Sequence, residues 1–158
     1  MTARQLRVVI DINVLISGYF FGKPETPPRR VLKATLERLL VLLHTDDYLV
    51  DLLEAFSKEK FIDRLAILGE TAVSITVTLA QLGERVTTAE VPAGVVRDRD
   101  DVIILACAVG GQADFIVSGD KDLTDLGIYE GIPILTPAQF LLILNPPDEP
   151  VADEPVKE

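Results

Sequence analysis

Carboxylates must carry whatever chemistry this 158-residue chain performs. It has one histidine, His44, and one cysteine, Cys107, so schemes needing two of either are excluded. Cys107 lies inside the apolar run 102–109, where a small thiol packs in a core rather than reacts. His44, at the end of a Leu-rich run, reads as structural. Asp11 follows directly on Val8-Val9-Ile10, and Asp120 closes Phe115-Ile116-Val117-Ser118-Gly119-Asp120. Both are acids just beyond a buried strand, where function gathers in a parallel α/β sheet. Between them, Arg97-Asp98-Arg99-Asp100-Asp101 opens a nearly all-apolar helix that Gly110-Gly111 ends.

Capping is the plain explanation for each acid alone. A single Asp after a strand makes a good N-cap, and first-turn acids complement the helix dipole by a few tenths to about 1 kcal/mol. The recurrence at Asp11 and Asp120 exceeds that need, as does the grouping of Asp98, Asp100 and Asp101, which repel one another unless a cation is present. Asn13 and Ser17 follow Asp11 closely enough to hold its oxygens by hydrogen bonds. With one helix acid added, these carboxylates converge at one end of a parallel sheet. An all-oxygen set suits Mg²⁺ or Mn²⁺ rather than Zn²⁺, and such ions serve the hydrolysis of phosphodiesters.

The elements that must position these residues alternate between strand and helix. Residues 7–10 read as a strand, and a Pro-rich loop over 23–28 leads to a helix over 29–39 with Val31, Leu32, Leu36 and Leu39 on one face. Residues 40–43 either extend that helix or form a second strand. Thr45 caps the next helix, with Asp46 and Asp47 in its first turn. That helix has Leu49, Leu52, Leu53 and Phe56 on its apolar side, and Asp47, Asp51 and Glu54 on its polar side. Residues 61–66 make another helical piece. The stretch 70–82 fits both periods, and its length without internal Gly or Pro favours a helix. Residues 86–92 read as a short edge strand. Strands follow at Phe115–Val117 and Ile132–Leu135. Asp114, at the wrong end of its strand, is left out of the site. Thr136 as cap and Pro137 at the first helical position start a last helix over 138–144. The expected architecture is α/β: a single-domain, three-layer α/β/α arrangement with a central parallel sheet.

Composition sets the frame. With 48% hydrophobic residues the chain can bury a full core. No apolar run reaches the length of a membrane span, and Met1-Thr2-Ala3-Arg4-Gln5 is no signal peptide, so no membrane role and a cytoplasmic location are expected. The net charge of −10 opposes any broad attraction to nucleic acid. A positive surface must be local or supplied by a bound cation. Residues 145–158, rich in Pro and acids, read as a disordered tail behind a domain spanning 1–144.

At the level of motifs, the chain resembles the PIN-domain family. Val8-Val9-Ile10-Asp11-Ile12-Asn13-Val14-Leu15-Ile16-Ser17 is similar to the opening motif, usually hydrophobic-Asp-Thr-Asn-Val-Leu. Arg97-Asp98-Arg99-Asp100-Asp101 leading into Ala106-Cys107-Ala108 resembles the third motif. Ala113-Asp114-Phe115-Ile116-Val117-Ser118-Gly119-Asp120-Lys121-Asp122-Leu123 resembles the closing Ala-Asp-Tyr-Ile-Val-Thr-Gly-Asp-x-Asp-Leu. Ile134-Leu135-Thr136-Pro137-Ala138-Gln139-Phe140-Leu141 fits the usual end, so the likeness spans 7–144. It implies a metal-dependent ribonuclease, commonly the toxin of a toxin–antitoxin pair and commonly a homodimer.

Carried over by position, the resemblance implies metal-binding carboxylates at Asp11, Asp101 and Asp120. It makes Asn13 and Ser118 supporting groups and Asp122 an outer ligand. Ile12 stands where the family usually has Thr. The second motif pairs Ser or Thr with a Glu six residues later. Here Thr45 is followed by Asp51, and the nearest Glu is Glu54. Periodicity alone does not choose between them; the family spacing selects Asp51, one methylene short, as the fourth catalytic and metal-binding acid. Two rival readings stand beside the nuclease. One is a PIN-like module that binds RNA or protein without cutting. The other is a haloacid-dehalogenase-like phosphatase, which wants a second Asp where this chain has Asn13.

Overall fold

The structure, a computed structural model, describes residues 5–21 and 23–145. The expected acidic tail, from residue 146 onward, and the first four residues lie outside the described part.

Three apolar strands make the centre. β1 (Leu6–Ile10) lies between β2 (Leu40–His44) and β4 (Phe115–Val117), parallel to both. Val8, Val9 and Ile10 are fully buried, as a strand covered on both faces requires. Parallel neighbours need a crossover, and helices supply it. α1 (Ile12–Phe20) and α2 (Pro27–Leu36) connect β1 to β2. α3 (Asp46–Phe56), α4 (Glu59–Ile67) and α5 (Ala72–Leu82) lead to β3 (Glu84–Arg85), and α6 (Arg99–Gly110) precedes β4. The short α7 (Lys121–Thr124), β5 (Ile128–Tyr129), β6 (Ile132–Leu135) and α8 (Pro137–Leu144) complete the chain. The sheet order is β3-β2-β1-β4-β6-β5. This is the expected three-layer α/β/α architecture, with one departure: the edge strand β5 runs antiparallel to β6.

Residues 40–43 belong to a strand, not to an extended helix, and α2 stops at Leu36 rather than continuing to residue 39. Arg38 is the reason: its φ of 61° breaks the helix and turns the chain into β2. The edge strand expected over 86–92 is two residues long and earlier, at Glu84–Arg85. Beyond it, Val86 N–H still donates to His44 O at 2.8 Å, but the chain then turns to α6, where Ala89 N–H donates to Ala106 O at 3.1 Å. On α3 the expected apolar face is rotated. Leu53 is exposed and Leu49 only half-buried, whereas Tyr48, read as neither, is fully buried. Its hydroxyl donates to Ile10 O at 2.6 Å, holding α3 against the end of β1. Within 70–82 the chain forms a helix, Ala72–Leu82, and Thr71 and Ser74 close a capping box at its start.

His44 and Cys107 keep to structural surroundings. His44 is buried with Nε2 3.0 Å from Ala80 O, and burial lowers its pKa. Cys107 is buried, and its thiol is pushed up to about 12.

Candidate functional site

The β1–β4 register brings two acids together. Val8 faces Phe115 and Ile10 faces Val117, so the next residues, Asp11 and Ser118, lie level at the carboxyl edge. Asp11 N–H donates to Val117 O at 2.8 Å, and Ser118 N–H to Leu135 O at 2.9 Å, extending the sheet geometry into the site. The N-terminus of α6, packed against β1, β2 and β4, delivers Asp101 to the same edge. One carboxylate oxygen each from Asp11, Asp101 and Asp120 lie within 4.8 Å of one another.

Capping and clustering turn out to coexist. Asp11 caps α1, Asp98 caps α6 and Asp120 caps α7, each accepting from the main-chain N–H two residues on. One oxygen is spent on the cap, and the other is left to face the cavity or a neighbour. Asp11 Oδ2 accepts from Ser118 Oγ at 2.7 Å, and that same Oγ accepts from Asp120 N–H at 2.9 Å. Ser118, fully buried, thus ties Asp11 to the backbone of Asp120.

Asp101 is no cap. It is 3% exposed, and its Oδ2 is buried without a hydrogen-bond partner among the described residues. Burial first, and then the neighbouring Asp120, Asp11 and Asp98, push its pKa up to about 7. Asp11 is raised too, by burial, with Ser118 and Asn13 opposing the shift through their hydrogen bonds. These perturbed acids frame a cavity of about 180 Å³ whose lining also includes Asp51, Glu54, Asp98, Asp100 and Lys58.

Other expected site residues are placed differently. Asp51 stands on the cavity wall outside the close trio, and its Oδ1 is 3.6 Å from Arg99 Nη1. Burial and the nearby Asp100 raise its pKa against the pull of Arg99. Glu54 lines the same wall and is exposed. Asn13 holds Asp11 Oδ1 as expected, but through its main-chain N–H at 3.2 Å rather than its side chain. Ser17 lines the adjoining grooves instead of the acid cavity; the helix turns it away, and Ser118, across the sheet, takes its expected place. Asp122 is not a cavity residue either. Its carboxylate faces Arg97 at 3.6 Å, and its N–H serves Asp120 Oδ1 at 2.9 Å. Lys58 and Arg99 join the site without a strong signal in the sequence. Their only signal was a cation next to an acid-bearing helix.

The donor set fits a hard divalent cation. Every candidate ligand is a carboxylate oxygen, and the orphaned Asp101 Oδ2 is the kind of buried acceptor that such an ion satisfies.

Residues 7–122 match the family model of the PIN domain, so the chain belongs to the PIN-domain family. Proteins of this family are generally metal-dependent nucleases acting on RNA or DNA. The likeness in residues 134–141 falls beyond the matched part, where the structure places β6 and α8. No curated protein matches the chain.

Proposed function

We propose that the protein is a divalent-metal-dependent ribonuclease, with Mg²⁺ or Mn²⁺ held by Asp11, Asp101 and Asp120. One observation carries this reading: three acids from the ends of β1 and β4 and from α6 share one small cavity, with a buried carboxylate oxygen left without a partner among the described residues. When bound, the ion supplies positive charge that offsets the negative charge of a phosphodiester under attack. The chain's own residues do the rest. Ser118 fixes the orientation of Asp11, and the α7 cap fixes Asp120. Asp51, on the cavity wall with a raised pKa, receives the proton of the attacking water in this reading. Water oxygen bonds to phosphorus as the bond to the leaving ribose oxygen breaks, and that oxygen takes a proton from solvent.

The resemblance extends the proposal further: the toxin of a toxin–antitoxin pair, cytoplasmic, homodimeric, and restrained by a protein antitoxin. No single helix among the described residues is long and apolar enough to cross a membrane.

The test is incubation with end-labelled single-stranded RNA, and separately with a generic phosphomonoester, each with Mn²⁺ or EDTA. RNA should be cut in Mn²⁺ only, and Asp11→Asn and Asp101→Asn should each abolish cutting. Metal-dependent hydrolysis of the phosphomonoester alone would replace this reading with the phosphatase. Metal binding without hydrolysis of either would leave the non-cutting module.

A further inference from the structure

A basic and aromatic strip adjoins the acid cavity and takes no part in the chemistry above. Its groove is lined by Ser17, Phe21, Lys60 and Phe61, and it shares Asn13, Ala55 and Lys58 with the cavity, so the two are continuous. Phe20 stacks on Phe61 with ring centres 4.3 Å apart and planes 2° from parallel. Phe21 meets both rings edge-on, at 6.4 and 6.3 Å. Phe61 is buried, but Phe21 is 47% exposed. Cations sit over this cluster. Arg64 lies 5.7 Å from the centre of Phe20 and 5.3 Å from that of Phe21, and Lys60 Nζ lies 5.2 Å from that of Phe61.

The charge arrangement is unusual for so acidic a chain. Lys60 and Arg64, four apart on α4, share one flank of the buried Phe61 and Leu65, while Glu59 and Asp63 lie about a quarter-turn away. Among the described residues no ion pair engages Lys58, Lys60 or Arg64, although several other cations of the chain are paired with acids. A net charge of −10 repels a polyanion at long range, so a nucleic acid must be met by cations beside the cavity. A half-exposed ring backed by a guanidinium offers a face to a base.

We propose that this strip is the binding track for single-stranded RNA on one side of the scissile bond. Lys58 and Lys60 contact phosphates next to the cavity, and Phe21 stacks an unpaired base. The proposal rests on the ribonuclease reading and adds to it the residues that hold the strand; bases stacked inside a duplex cannot reach Phe21.

The experiment is fluorescence anisotropy with a short fluorescein-labelled single-stranded RNA and the corresponding duplex. The parent protein is the full chain carrying Asp101→Asn, which keeps the RNA uncut. Phe21→Ala should raise Kd about 10-fold, within the range for loss of one base stack, and Phe21→Tyr should keep the affinity. Lys58→Gln/Lys60→Gln should weaken binding and flatten the slope of log K against log salt by about 1.4, or about 0.7 per lost phosphate contact. Lys33→Gln, on α2, serves as the control and should change nothing. Thermal melts confirm that each variant is folded. Unchanged affinity in Phe21→Ala and the double lysine variant overturns the proposal. So does a loss in Phe21→Tyr equal to that in Phe21→Ala, or equally tight binding of the duplex. Cleavage of the same RNA by the unmutated protein reports separately on the nuclease reading: binding with this pattern but no cutting removes that reading and leaves the track.

Discussion

Asp101 is the residue at which the proposed function and stability conflict. An unfolded aspartate ionises near its ordinary value of 3.8, but in the fold Asp101 holds its proton up to about 7. Between those values the native state binds more protons than the unfolded state, so in EDTA stability falls as pH rises through this window. Asp101→Asn removes the buried charge and offers amide hydrogens to the carboxylates around it. In EDTA at about pH 8 this variant should be more stable than the unmutated protein, by about 1–3 kcal/mol, and the gain should fade as pH falls from about 7 towards 3.8. Added Mn²⁺ should stabilise the unmutated protein and not the variant, since only a ligand that binds the native state raises its stability. Melting curves across pH, with and without Mn²⁺, check both signs; a variant no more stable at high pH would contradict the burial argument.

The choice between Asp51 and Glu54 belongs to the same scale. Both line the cavity, but Asp51 is the more buried and is held by Arg99 at 3.6 Å. A shorter acid misplaced by about 1 Å can lose on the order of 10²-fold in rate. Weak cleavage is therefore expected in the unmutated protein, with an increase in Asp51→Glu, almost none in Asp51→Asn and little change in Glu54→Gln. Initial rates on labelled RNA decide it, and loss of activity only in Glu54→Gln would reverse the assignment.

At the scale of elements, α6 and its surroundings determine whether Asp101 reaches the sheet edge at all. The helix is almost wholly buried from Asp101 to Ala108 and packs across three strands. Its far end is clamped by the segment after β3. A Cβ on Gly110 would fall 1.7 Å from Thr87 O, a main-chain atom that cannot step aside without moving the loop. Gly110→Ala should therefore lower stability by about 1–3 kcal/mol through overpacking, seen in urea unfolding as a lower midpoint with an unchanged slope. It should also weaken Mn²⁺ stabilisation, because displacing the helix shifts Asp101. A neutral Gly110→Ala would mean that the clamp is not needed.

For the whole molecule, apolar surface remains to be explained. Ile62 and Val73 line a groove between α4 and α5 and are 53% and 60% exposed. Apolar side chains grouped in this way mark interaction surfaces more often than chance exposure does. If the expected homodimer uses this face, light scattering should give twice the chain mass of 17.3 kDa, and Ile62→Asp/Val73→Asp should return it to the single value. A monomer in the unmutated protein would remove the dimer from the proposal.

The strand ends at Asp11 and Asp120, the Thr45 and Thr136 caps, the apolar helix opened by Asp98 and the chemistry of an all-oxygen cluster were legible in the sequence. Each is written in a few consecutive residues: a buried run, a capping side chain, a first turn, or the absence of competing donors. What could not be read is what depends on partners far apart in the chain. Asp11 is held by Ser118, 107 residues away, not by nearby Ser17. Asp51 is held by Arg99, and Tyr48 turns inward to meet Ile10 O. The turn at Arg38, which makes a strand of residues 40–43, has no strong local residue signal. Such pairings are chosen by how helices and strands pack, because a side chain's direction is set by the rotation of its element against the core, which local propensity leaves open.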